Sequence, residues 1–121
     1  MNPHDIACAF HDVAQSNLMN GQIKDAEKHF HQAVDQYRRT SDEYSLAFCL
    51  FQCALVLRAQ SKREAAEDML VESISLIKKV GIKREDIERV YLNCYIQNLR
   101  EIYNARAEDK LLRRRLRQAG I

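Results

Sequence analysis

Residues 46–57 read Leu-Ala-Phe-Cys-Leu-Phe-Gln-Cys-Ala-Leu-Val-Leu, and eleven of the twelve are apolar or small. A helix built from them has no polar face, so it must be covered on more than one side. It is also too short to cross a bilayer, which takes about 20 apolar residues. Such a segment requires helices packed before and after it, or a groove that receives a partner.

The rest of the chain supplies those helices. With 121 residues it is one domain, read as spanning 1–121, large enough to bury roughly 60 to 70% of its unfolded surface without disulfide staples. Its 46% hydrophobic and 30% charged residues are those of an ordinary soluble chain. Three glycines and one proline are too few for a sheet protein with many tight turns and favour long helices. No basic n-region or apolar h-region follows Met1, so the expected location is cytoplasmic. Cys8, Cys49, Cys53 and Cys94 form no C-x-x-C and sit in apolar helical patterns, where a thiol behaves as a small hydrophobe.

Taken in order, Asn2 is an N-cap and Pro3 suits the first helical position, followed by Ile6, Phe10, Val13, Ala14 and Leu18 at helical spacing. Asn20-Gly21 ends that helix. A second carries Ile23, Ala26, Phe30, Ala33, Val34 and Tyr37 on one face. Thr40-Ser41-Asp42-Glu43 fits a capping box for the third helix, and Ser61-Lys62-Arg63-Glu64 another for the fourth, which ends at Lys78-Lys79 with Gly81 beyond. A fifth runs from about Arg84, with Cys94, Tyr95, Leu99 and Ile102 along it, to a break expected between Asn104 and Glu108. The last helix has an apolar seam of Leu111, Leu112 and Leu116 among arginines.

A shift of 40 residues superposes Phe10 on Leu50, Val13 on Cys53, Ala14 on Ala54, Ala26 on Ala66, Phe30 on Leu70 and Ala33 on Ser73. A further shift of 46 reaches Leu99, Tyr103, Ala107, Leu112, Leu116 and Ala119. Stacked helical hairpins leave this signature, because no hairpin buries its apolar face alone. The expected pairs are about 3–39, 41–80 and 84–119.

Gly21, Ala26, Phe30 and Ala33 stand at the spacing of the turn and second helix of the tetratricopeptide repeat family, and Asn98-Leu99-Arg-Glu-Ile-Tyr103 is similar to its first helix. The chain therefore resembles that family, with a repeat of about 40 residues in place of the usual 34 or so. Ser61 and Ala107 stand where the turn glycine belongs. The resemblance implies an all-α solenoid of three antiparallel hairpins, whose first helices line a concave surface. Carried over, that surface presents Cys8, His11, Gln15, Leu18 and Met19, then Phe48, Phe51, Leu55 and Arg58, then Cys94, Gln97, Asn98, Glu101 and Asn104. Members that clamp a carboxylate use cations where this chain has His11, Gln15, Gln52, Cys94 and Asn98, so a carboxylate clamp is not expected.

The resulting expectation is a protein-interaction module, an adaptor, scaffold or small chaperone-like domain, that binds an apolar or amphipathic peptide or helix. Phe48, Phe51 and Leu55 would be the anchors, with His11, Gln15, Arg58, Gln97, Asn98 and Glu101 orienting the guest. Homodimerisation through the same patch is the close variant. No Walker, Rossmann or acid-pair pattern points to catalysis, and no cofactor is expected. His4, Cys8 and His11 share a helix face, but three ligands on one helix splay over two turns, so metal is not expected either. A Cys8–His11 nucleophilic pair lacks a glycine-rich oxyanion turn. The competing reading is nucleic-acid or acidic-partner binding by the basic C-terminal helix. Arg106, Lys110, Arg113, Arg114, Arg115 and Arg117 outnumber Glu108 and Asp109 there, although no aromatic is interleaved for base stacking.

Overall fold

The computed structural model describes residues 2–80, 85–104 and 109–121. They form six helices: α1 (Pro3–Met19), α2 (Ile23–Tyr37), α3 (Glu43–Ala59), α4 (Arg63–Val80), α5 (Glu85–Asn104) and α6 (Asp109–Gln118). The packing is α1 on α2, α3 on α4 and α5 on α6, with α2 against α3 and α4 against α5 joining the pairs; α6 also touches α4. This is the stack of three hairpins expected from the repeat. Gly81 and the break expected between Asn104 and Glu108 fall on residues 81–84 and 105–108, outside the described residues.

The apolar stretch forms the middle of α3. Leu46, Ala47, Cys49, Leu50, Phe51, Cys53, Ala54, Val56 and Leu57 are all buried. At about 1.5–3 kcal/mol for each large side chain removed from water, this helix is the largest single contributor to the core. The 40-residue repeat is visible in burial: Ala14 and Ala54, Ala26 and Ala66, Phe30 and Leu70, and Ala33 and Ser73 all lie in the interior. Ser73 takes an alanine's place because its hydroxyl donates to the Leu70 carbonyl at 2.8 Å, leaving no unpaired polar atom. Val13 departs from the pattern. It is 43% exposed where Cys53 is fully buried, because α3 has a hairpin on each side and α1 has one on one side only. The third pair follows the second: Leu99, Leu112 and Ala119 are buried and Leu116 packs against the core. Leu111, expected in the same seam, is instead exposed. Positions 112, 116 and 119 share one helical face, and 111 lies beside it.

Helix ends explain how the chain reverses. Asn2 caps α1 by accepting from the Asp5 amide at 2.9 Å, as its position implies. The cap of α3 is Asp42 rather than a box begun at Thr40. Its carboxylate accepts from the Ser45 amide at 3.0 Å and from the Ser45 hydroxyl at 2.6 Å. Thr40 serves the preceding helix, donating its hydroxyl to the Tyr37 carbonyl at 2.7 Å. Burial alone would raise the Asp42 carboxyl, but the hydrogen bonds from Ser45 and His4 outweigh it and hold the group below the usual carboxylate range.

Three helices end with one motif. After α1, Gly21 lies at φ +74° and the Gln22 amide donates back to the Asn17 carbonyl at 2.8 Å. After α6, Gly120 lies at φ +87° and the Ile121 amide donates to the Leu116 carbonyl at 2.9 Å. After α3, Ser61 takes the same left-handed position at φ +61°, and the Lys62 amide donates to the Leu57 carbonyl at 2.9 Å. Ser61 therefore closes α3 and does not cap α4, contrary to the capping box read there. Its forty-residue counterpart is Gly21, and the turn geometry has been kept without the glycine that makes it strain-free.

That substitution yields a stability prediction. A left-handed L-residue costs about 1–2 kcal/mol, and glycine gives back about 0.4–1 kcal/mol through the unfolded chain. Ser61→Gly is therefore expected to stabilise the protein by about 0.5–1 kcal/mol, read as a higher urea midpoint at unchanged slope.

Candidate functional site

On α3, Phe48, Gln52 and Leu55 form a stripe one turn apart. Leu55 is 38% exposed and Phe48 is half-buried. Gln52, the one polar residue in the apolar stretch, meets His11 of α1 through its Oε1 and the imidazole Nε2. The other imidazole nitrogen lies 3.3 Å from the Tyr37 hydroxyl, and the ring also packs against Phe48 at a centroid distance of 5.9 Å. Tyr37 anchors the arrangement from below. It is buried, its phenol is pushed well above its ordinary value by burial and then by the neighbouring Cys8, and the rings of His4 and His11 meet it edge-on.

On the opposite flank Arg58 reaches α5. Its Nη1 donates to Asn98 Oδ1 and to Glu101 Oε2, both at 2.9 Å. Asn98 is held in turn by donating to the Cys94 carbonyl at 3.0 Å, and Gln97 donates to the other Glu101 oxygen at 3.4 Å. The guanidinium of Arg58, followed by Gln97, keeps the Glu101 carboxyl below the usual range. Arg58, Gln97, Asn98 and Glu101, chosen from sequence as separate positions, are thus one connected group. Only Nη1 of Arg58 is engaged among the described residues, so the remaining guanidinium edge is open to an acceptor. Gln15, one turn beyond His11, is half-buried. The Asn104 side chain lies outside the described residues.

Phe51 is not part of this surface. It is 9% exposed, and its ring stacks on Tyr95 of α5 with centroids 4.1 Å apart and planes at 20°. Of the two outcomes the sequence allows for this flank of α3, an open groove or cover by the chain's own fifth or sixth helix, the third hairpin supplies the cover at Phe51, and an offset stack of this kind adds about 0.5–1.5 kcal/mol beyond burial. The aromatic at Tyr95 was the available signal.

Other candidates separate in space. His11 is occupied by Tyr37 and Gln52, so it does not pair with Cys8, whose thiol lies 3.8 Å from His4 Nδ1 and 3.6 Å from the Tyr37 hydroxyl. His4 Nε2 is itself 2.9 Å from Asp42. Burial pushes the Cys49 and Cys53 thiols up to about 12, which makes them poor nucleophiles. Among the described residues no group of three or more His, Cys, Asp or Glu side chains is placed to hold a metal ion. No helix among them is long and apolar enough to cross a membrane. In the basic helix Arg113, Arg114 and Arg117 are exposed, whereas Arg115 is tied to Asp68 and Gln118.

Burial separates the two aromatic and aliphatic candidates on α3. Phe51→Glu is expected to unfold the protein, since losing a buried phenylalanine costs about 3–5 kcal/mol before the buried charge is counted. Leu55→Glu should shift stability by no more than about 1 kcal/mol. Thermal melts followed by circular dichroism distinguish the two.

Comparison with known proteins places this geometry in a family. The model of the tetratricopeptide repeat matches residues 5–79, from the first turn of α1 into the last turn of α4. No curated protein matches the chain. Helical repeats of this type generally mediate protein–protein interaction. With more than half its length matched and its hairpins stacked in register, the chain belongs to the tetratricopeptide repeat family.

Proposed function

We propose that the protein is a non-catalytic interaction module, an adaptor or scaffold, that holds a segment of another protein along the shared face of α1, α3 and α5. The observation that carries this is the pairing of an exposed apolar seat with a pre-positioned cation. Leu55 and Phe48 form the seat, and Arg58, one turn along the same helix, is fixed by Asn98 and Glu101. An arginine whose geometry is already set loses little side-chain entropy on binding. Its open edge suits a backbone carbonyl or side-chain oxygen of the guest, while Leu55 takes an apolar side chain.

The burial of Phe51 makes this seat narrower than a groove of three large apolar anchors. A short extended or helical segment presenting one apolar side chain fits it better than a long greasy helix. His11, Gln15 and Gln97 border the seat with polar groups that orient rather than drive binding. A second copy of the chain presenting its own segment would use the same contacts. Sedimentation of the isolated protein separates that case from a different partner.

Photo-crosslinking from this face tests the proposal. Benzoylphenylalanine in place of Leu55 is expected to capture one or a few proteins from the native lysate, and in place of Ser75, exposed on α4, to capture none of them. Equal capture from both positions, or none from position 55, overturns the proposal.

A further inference from the structure

The end of α6 carries a second surface that the shared face of α1, α3 and α5 does not use. Arg113 and Arg117 stand one turn apart, and with Leu116 and Ile121 they line a cleft of about 460 Å³. The cleft is a product of the helix end. Gly120 at φ +87° turns the chain, the Ile121 amide bonds back to the Leu116 carbonyl, and Ile121 is thereby held over the last turn of α6. Ile121 remains 46% exposed, and the Lys78 ammonium bonds the Gly120 carbonyl and ties this turn to α4. The floor of this open cleft is apolar, and its rim is cationic.

Among the described residues the two arginines on that rim have no ion-pair partner. Residues 109–121 hold Lys110, Arg113, Arg114, Arg115 and Arg117 against Asp109, a local net of +4. Asp68 neutralises Arg115. The helix dipole accounts for a cation in the last turn. It does not account for a second one a full turn earlier on the same side, flanking an apolar floor.

We infer that this cleft docks an acidic protein segment, one apolar side chain seated on Leu116 and Ile121 between carboxylates paired with Arg113 and Arg117. Each arginine fork can take one carboxylate through two parallel N–H···O bonds, and two of them one helical turn apart, about 5–6 Å between Cβ atoms, offer a pair of such partners on either side of an apolar seat. Two other anionic partners fit less well. A single-stranded nucleic acid needs stacking platforms, and residues 109–121 contain no aromatic. A membrane surface needs the apolar face of an amphipathic helix free to insert, whereas Leu112 and Ala119 are already buried against the neighbouring helices.

The test is fluorescence anisotropy on the full chain, with labelled peptides built on Glu-Glu-Leu-Glu-Glu. The peptide is expected to bind, more weakly as salt rises. Arg113→Ser combined with Arg117→Ser should weaken it about tenfold, and Ile121→Ser about fivefold. Lys24→Ser, which removes an exposed cation from α2, should leave binding unchanged, and the melting temperatures of all variants should stay together. Four results would overturn the inference: no binding; equal affinity for Glu-Glu-Ser-Glu-Glu, which marks unspecific charge attraction; the same loss on Lys24→Ser; or tighter binding of oligothymidine or anionic vesicles, abolished by the same arginine changes.

Discussion

A helix with no polar face cannot rest against a single neighbour, and α3 is such a helix. Everything around it follows from the need to cover it. The α2 and α4 helices pack along two of its sides, His11 of α1 leans on Phe48, and Tyr95 of α5 stacks on Phe51. Within residues 46–57 only Leu55 and parts of Phe48 and Gln52 are left with access to solvent. The proposed binding seat is therefore the residue of the packing problem. It is the strip of an all-apolar helix that the chain's own helices leave unsealed.

Polar contacts then fix how the hairpins sit on one another. His4 meets Asp42, Lys62 meets Glu27, Arg38 meets Glu72, Arg58 meets Glu101 and Arg115 meets Asp68, each joining one hairpin to the next. Most of these side chains are partly solvated, and such pairs contribute at most about 1 kcal/mol each. Their role is to set register where apolar packing of small residues would tolerate sliding. The Lys62 ammonium, bonded to both Glu27 oxygens, holds that carboxyl below its ordinary range. The same chemistry at Arg58 does more than align. It leaves a cation fixed beside an exposed leucine, so a contact between hairpins also shapes the surface offered to a partner.

The sequence carried the architecture well, because it rests on local and periodic signals. Alanines at 14, 26, 54 and 66 recur at one spacing and all are buried, and Gly21 marked its turn correctly. Ser61 was read two ways, as the residue in the turn-glycine position and as a helix cap. Only backbone geometry decides between these, since serine suits a cap by chemistry and left-handed backbone only under tertiary constraint. The fate of Phe51 was less legible. In a helix with no polar side, periodicity cannot say which apolar residue is left out of the core. That depends on the volume and angle of a residue on a distant helix, here Tyr95 of α5. The convergence of Arg58, Gln97, Asn98 and Glu101 was half-legible: the residues could be named, but their joining into one network is a long-range fact.

The central claim is that α3 is the keystone and that the flanking hairpins are held through it. Native-state hydrogen exchange measures this helix by helix. If the claim holds, amides within residues 46–57 exchange slowest and only through global unfolding, while those of α1 and α6 open earlier. Exchange within α3 as fast as in α1 and α6 would contradict it.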